Sequence, residues 1–268
     1  MDAPASRRLS RPQTTAAKRS GATVGSDEAA FAARNRARVR TMAEDTEFQD
    51  LSRQWFVDSC RHEYSYHFTW LGRPIIQYPQ DIVALQEIIW RVQPDWIVET
   101  GIARGGSLIL SASLLELTGG DGRVLGIDID IRAHNRAAVE AHPLSRRIEM
   151  IEGSSVDEDI ASEARRRVAG SRALVILDSN HTHDHVLDEL RLYAPLVRAG
   201  SYLIVLDTCV DDMPESLVAN RPWGPGNSPR TAVETFLAEC DRFAVDEELD
   251  AKLAITVAPR GYLRCLSD

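Results

Sequence analysis

The sequence has no apolar run near the ~20 residues that a membrane-spanning helix needs, so no span is predicted. Its opening, MDAPASRRLSRPQTTAAKRSG, is basic and lacks an apolar core, so it is not read as a secretory signal. Cysteine is sparse. Cys60, Cys209, Cys240 and Cys265 are scattered with no C-x-x-C pair, so structural zinc is not indicated and reduced thiols in a cytoplasmic protein are expected. Positive charge is not in excess: 31 Lys and Arg against 40 Asp and Glu give a formal net charge of -9. A nucleic-acid partner needs a basic surface and is therefore not expected. G-x-G-x-x-G is missing, which removes a dinucleotide-type pyrophosphate cradle. H-x-D is also missing, which argues against an iron oxygenase built on two histidines and a carboxylate. There is no internal repeat.

What is present fits one large α/β core, which 268 residues can bury. Residues 1–25, rich in Ser, Pro, Arg and Thr, are predicted to form a disordered tail. Residues 26–92 read as an N-terminal helical and aromatic cap segment. It comprises a polar helical pattern over 27–58, an irregular aromatic stretch over 64–81, and a helix from about Ile82 to Arg91. From 93 to 268 short apolar runs alternate with helical patterns: DWIVETG, RVLGIDID, RRIEMIEG, ALVILDS and SYLIVLDT. Continuous Val, Ile and Leu is how strands buried on both faces read. The order β-α-β-α-β-α-β-α-β predicts a Rossmann-like, mostly parallel seven-stranded sheet with helices on both faces. An antiparallel hairpin over about Phe243–Leu249 and Leu253–Leu266 is expected to close it.

In such sheets ligands bind outside the carboxyl ends of the strands. Four of the five apolar runs end in acid: Glu99, Asp128 with Asp130, Asp178, and Asp207. Any one of these suits a helix cap, but capping does not require acids at the last strand position four times. The first loop, ETGIARGGS, is a Gly-rich turn that lets backbone approach a ligand closely. An acid after the second strand can hold the two hydroxyls of a ribose. With no phosphate cradle beside it, that points to S-adenosylmethionine.

The stretches FTWLGRPIIQYPQD, ETGIARGGS, GIDIDIR, LDSNHTHDHVLDEL, SYLIVLDT, WGPGNSPRTAV and APRGYL occur in order from residue 64 to the C-terminus. Together they resemble the cephalosporin hydroxylase / rhamnosyl O-methyltransferase family of class I methyltransferases, similar to Mg-dependent catechol-type enzymes. The resemblance implies that Glu99, Gly101, Ala103 and Ser107 hold the methionine side of the cofactor. It implies that Asp128 and Ile129 lie at the ribose, Ser154 and Ser155 at the adenine, and Asp178 at the cofactor as well. It implies Mg²⁺ on Asp178 and Asp207, with Thr208 where catechol-type enzymes have an Asn ligand and Leu206 where hydroxylase-type relatives have an acid. His181 stands where those enzymes place a lysine base. The implied acceptor is a deoxysugar hydroxyl on a glycosylated natural product or glycolipid, with a catechol, other phenol or polyketide as the alternative. A homo-oligomer is also implied.

Two other readings remain open on sequence. HTHDH, with His181, His183 and His185, is one residue short of the H-x-H-x-D-H of zinc hydrolases. That reading leaves the strand-end acids without a role. A non-catalytic scaffold is opposed by intact Asp178, His181 and Asp207. On the methyltransferase reading, His185 packs beside the site and His183 starts a helix.

Overall fold

The computed structural model describes residues 21–268, and the predicted tail lies outside them over residues 1–20. Two helices come first, α1 (Gly21–Glu44) and α2 (Thr46–Cys60). α1 starts inside the span read as tail, and the single helical pattern breaks at Asp45. There the backbone is extended and the carboxylate accepts from the Phe48 N–H at 3.0 Å, capping α2.

The aromatic stretch expected to be irregular is ordered. A 3₁₀ turn over Tyr64–His67 leads into β1 (Phe68–Trp70) and β2 (Arg73–Ile75), paired with Phe68 opposite Ile75. The connecting Leu71 and Gly72 both have positive φ, +45° and +85°, as tight two-residue hairpins commonly require. Pro74 and the aromatic density hid this hairpin, since proline reads against a strand except at an edge. α3 (Pro79–Val92) begins three residues before the predicted Ile82, with Pro79 in its first turn, where a missing N–H costs nothing.

The sheet then unfolds as expected, through β3 (Trp96–Thr100), α4 (Gly106–Thr118), β4 (Arg123–Asp128), α5 (Ala133–Glu140), β5 (Ile148–Glu152) and α6 (Glu158–Val168). β6 (Ala173–Leu177), α7 (His183–Tyr193) and β7 (Tyr202–Val205) complete the parallel part. α8 (Glu215–Val218), α9 (Pro229–Glu239), β8 (Phe243–Val245), α10 (Glu247–Leu253) and β9 (Tyr262–Cys265) follow. Strand order is β5-β4-β3-β6-β7-β9-β8, parallel through β7 and antiparallel at β9 and β8. The expected closing hairpin is corrected in one respect. β8 and β9 do pair, but β8 stops after three residues because Asp246 accepts from the Leu249 N–H at 3.2 Å and starts α10.

Alternate residues of each strand enter opposite cores. Ile97, Leu174, Ile176, Tyr202 and Ile204 pack on the side of α3, α4 and α10. Val98, Val175, Leu177, Leu203 and Val205 pack on the side of α6, α7 and α9. With both faces covered there is no polar face to alternate with, which is why these strands read as unbroken apolar runs. α4 is buried almost all round, as its sequence LILSASLL suggests for a core helix.

Candidate active site

Five parallel strands deliver their carboxyl ends to one edge. At the end of β3, Glu99 is buried and accepts from the Ser107 hydroxyl in the first turn of α4. Burial pushes its carboxyl up to about 7, against the opposing pull of the Ser107 hydrogen bond. Gly101 follows at φ +87°, and a Cβ there would lie 2.0 Å from the Asp178 carbonyl oxygen. Only glycine lets this loop cross the end of β6 so closely. The loop then wraps Asp128 beyond β4. The Ile102 and Ala103 N–H groups donate to Oδ2 at 2.7 and 3.3 Å, and the Asp130 N–H donates to Oδ1 at 3.0 Å. Ala103 and Asp128 line a cleft with Arg104, Asp130 and Asn135. The neighbouring Ile129 is 73% exposed, unusual for a large apolar side chain beside a strand end.

Glu99, Ser107 and Asp178 line a second, more enclosed cavity together with Gln77, Asp81 and Tyr262. These last three were not singled out from the sequence. Asp81 is buried and accepts from the Tyr262 hydroxyl at 2.7 Å, the Val257 N–H at 3.0 Å and the Thr256 hydroxyl. Burial raises it to about 6, with those hydrogen bonds opposing. Asp178 stands well above the usual carboxylate range, first through burial and then through the charges of Asp207, Glu99 and Glu189. Among the described residues, no Arg, Lys or His lines this cavity, and one oxygen of Glu99 and the Gln77 carbonyl oxygen are buried without a hydrogen-bond partner. Converging acids with no basic residue among them fit cationic occupants: a metal ion, or the ammonium and sulfonium of S-adenosylmethionine.

Asp178, His181 and Asp207 come together, with one ligand atom from each lying within 4.8 Å of the others. Asp207 holds φ +54° as the chain turns out of β7, a conformation Asp tolerates better than most residues. His181 Nε2 lies 3.4 Å from Asp207 Oδ2. Its ring meets Trp223 edge-on, with centroids 4.8 Å apart and planes at 83°. Above His181 and Asp207 is a cleft of about 290 Å³ walled by Tyr64, Tyr66, Tyr78 and Trp223. The aromatic segment and the WGPGNSP loop thus both reach the site, whereas the Trp70 indole donates to the Ser113 hydroxyl at 2.9 Å and Phe68 packs on the core.

Thr208, beside Asp207, is fully buried, and its hydroxyl donates to the Pro259 carbonyl at 2.7 Å. The three histidines do not converge as a zinc site requires. His183 Nδ1 lies 2.8 Å from the Thr231 hydroxyl, and His185 Nε2 lies 3.1 Å from Ser155 and from Ser179. Ser154, half-buried, and Ser155, buried, form the turn after β5.

Comparison with known proteins agrees with this geometry. Residues 62–266 match the model of the family described as Rhamnosyl O-methyltransferase/CmcI. A rhamnosyl O-methyltransferase of Mycobacterium tuberculosis (strain ATCC 25618 / H37Rv) is 32% identical over 199 residues, covering 73% of this chain and 77% of the relative. Its counterpart from Mycobacterium leprae (strain TN) is 32% identical over 201 residues, covering 73% and 82%. Among solved structures, a CmcI described with Mg and SAM aligns at TM-score 0.53 and 21% identity over 75% of this chain and 78% of that one. The O-methyltransferase TomG from Streptomyces achromogenes, in complex with SAM, aligns at 0.50 and 18% over 81% and 90%. At these identities the structures speak for the fold. The chain belongs to the rhamnosyl O-methyltransferase/CmcI family and is a class I, S-adenosylmethionine-dependent O-methyltransferase.

Proposed function

We propose that the enzyme methylates a hydroxyl of a sugar, of the deoxyhexose or rhamnose type, on a glycosylated natural product or glycolipid. One observation carries this reading: Asp178, His181 and Asp207 come together, and His181 and Asp207 line a cleft walled by aromatic rings. Asp178 and Asp207 would hold Mg²⁺, whose preference for hard oxygen ligands they meet, and water or acceptor oxygens would complete the shell in place of Thr208. When bound, S-adenosylmethionine supplies a methyl group on a sulfonium, and Mg²⁺ makes an alcohol more acidic.

This chain's own residues do the rest. Glu99, Gly101 and Ser107 would hold the methionine side of the cofactor. Asp128, Ala103 and Ile129 serve the ribose side, and Ser154 and Ser155 the adenine. Tyr64, Tyr66 and Trp223 offer apolar ring faces to a sugar and exclude water. His181 takes the hydroxyl proton on Nε2, and the Asp207 carboxylate 3.4 Å away stabilises the imidazolium. Lys252, the one lysine among the described residues, is paired with Glu87.

The test is mass spectrometry of acceptors incubated with S-adenosylmethionine, with Mg²⁺ and with a chelator. Gain of one methyl on a rhamnosyl glycoside, lost on chelation, is the expected result. Methylation of a catechol but no glycoside would replace the acceptor assignment. Turnover indifferent to chelation would remove the metal. No helix among the described residues is long and apolar enough to cross a membrane. Residues 26–92 are assigned as a cap on the methyltransferase unit of 93–268, in a cytoplasmic homo-oligomer. The exposed Phe31, Leu51 and Trp55 of α1 and α2 offer an apolar surface for that association. Light scattering that finds only monomer rejects it.

A further inference from the structure

α7 carries more than the start of the histidine cluster. His185, Glu189 and Tyr193 recur at i, i+4 and i+8, so one helix face presents all three to the ends of β5 and β6. The Tyr193 hydroxyl donates to the Ser155 carbonyl at 2.9 Å. The Ser179 hydroxyl donates to Glu189 Oε1 at 2.7 Å, and Glu189 is fully buried. His185 Nε2 is 3.1 Å from both the Ser155 and the Ser179 hydroxyl oxygens. A single helix face therefore ties the turn after β5 to the loop that holds Asp178.

With the contacts of Ser179 to Glu189 and of His185 to both serines all made as hydrogen bonds, counting hydrogens gives their direction. Ser179 has one hydroxyl hydrogen and gives it to Glu189, so its oxygen can only accept from His185. His185 must then carry its hydrogen on Nε2. A protonated Nε2 cannot accept from Ser155, so Ser155 also accepts, sharing that N–H. The Ser155 hydroxyl hydrogen is left over. Its nearest alternative acceptor in this cluster is the Ser179 oxygen at 3.5 Å, the limit of a hydrogen bond.

We propose that His185 and Glu189 are positioning residues that orient the Ser155 hydroxyl as a donor to a ring nitrogen of the cofactor's adenine, while holding Ser179 beside Asp178. The inference rests on the assignment of the turn after β5 to the adenine. It gives a role to a histidine that neither takes the proton nor holds metal.

Calorimetry with S-adenosylhomocysteine, without metal or acceptor, tests it apart from turnover. His185→Ala and Ser155→Ala are each expected to weaken binding about tenfold. The double variant should be no weaker than either single, because the two residues act as one unit. His185→Gln keeps a side-chain N–H donor and should recover most of the loss. In turnover the rise should fall on KM for S-adenosylmethionine and leave KM for the acceptor in place, a split that general loosening of the fold does not produce. Unchanged affinity in His185→Ala, or losses that add in the double variant, overturns the proposal. If His185→Ala does not fold, His185→Gln and Ser155→Ala decide: a Gln variant as weak as Ser155→Ala also overturns it. Wild-type protein that binds no S-adenosylhomocysteine overturns the cofactor site itself along with the network.

Discussion

At the scale of single residues, the acids and His181 have separable consequences. Asp207→Asn keeps the shape but halves the anionic ligand set, and is expected to lower kcat/KM at least about 100-fold, with partial recovery at high Mg²⁺. His181→Ala should cost about 10²–10⁴-fold in kcat and leave metal affinity nearly intact. Asp207→Asn with wild-type kinetics would remove the metal site. Glu99 has a different signature. Its folded pKa, about 7, lies above the ordinary 4.5. The folded state therefore holds a proton that the unfolded state gives up, and the cost of ionising it accrues as pH rises from about 4.5 to 7. The full cost is on the order of 3 kcal/mol and is absent below that window. Ligand-free protein should thus lose stability between pH 5 and 8 (roughly the range where such groups set the slope), and Glu99→Gln should flatten the curve in urea titrations. An unchanged slope in Glu99→Gln would show that Glu99 is not the group responsible. Much at this scale was legible, because Asp178 and Asp207 end adjacent parallel strands and His181 follows three residues after the first. Thr208 is hydrogen-bonded to Pro259, 51 residues away, a contact that nothing local announces. Asp81 was missed for the same reason, since its partners Thr256 and Tyr262 lie 175 and 181 residues further on.

At the scale of elements, the loop between β3 and α4 is where local sequence and tertiary contact agree. Gly101 needs its positive φ, and a Cβ there would lie only 2.0 Å from the Asp178 carbonyl oxygen. Gly101→Ala should cost about 3 kcal/mol or more, because strain and clash add. In a chain of this size that lowers Tm by very roughly 10 °C, with cofactor binding lost alongside. A melting curve within about 2 °C of wild type would contradict the close crossing of the two loops. The same contrast explains which elements the sequence announced. The five parallel strands are continuous apolar runs because two cores cover them, and that pattern needs no partner to be recognised. β1 and β2 carry Pro74 and half-buried aromatics, and their order comes from packing on α4, where a Cβ on Gly106 would strike the Pro74 carbonyl at 2.2 Å. α10 replaced an expected strand through one capping aspartate, a short-range signal that an apolar period overrides on paper.

At the scale of the whole molecule, folding concentrates negative charge where the chain is already acidic. The formal charge is -9, and the charges of Asp207, Glu99 and Glu189 all act on Asp178 at the end of β6. Among the described residues, no basic side chain lines the enclosed cavity. The ligand-free fold therefore carries a strain that bound cations relieve, the usual exchange of stability for function at a prepared site. Each cationic ligand binds the folded state only, so at 100 times its Kd it should add about 2.7 kcal/mol, or several degrees in Tm. S-adenosylmethionine and Mg²⁺ together should raise Tm more than the sum of their separate shifts, because each lowers the repulsion the other meets. Asp178→Asn makes the sharpest distinction. It should melt higher than wild type without ligands, show no shift with Mg²⁺, and be inactive. If it instead melts several degrees lower, Asp178 is a structural anchor where its loop crosses that of Gly101, and the acid crowd is not what the cations relieve.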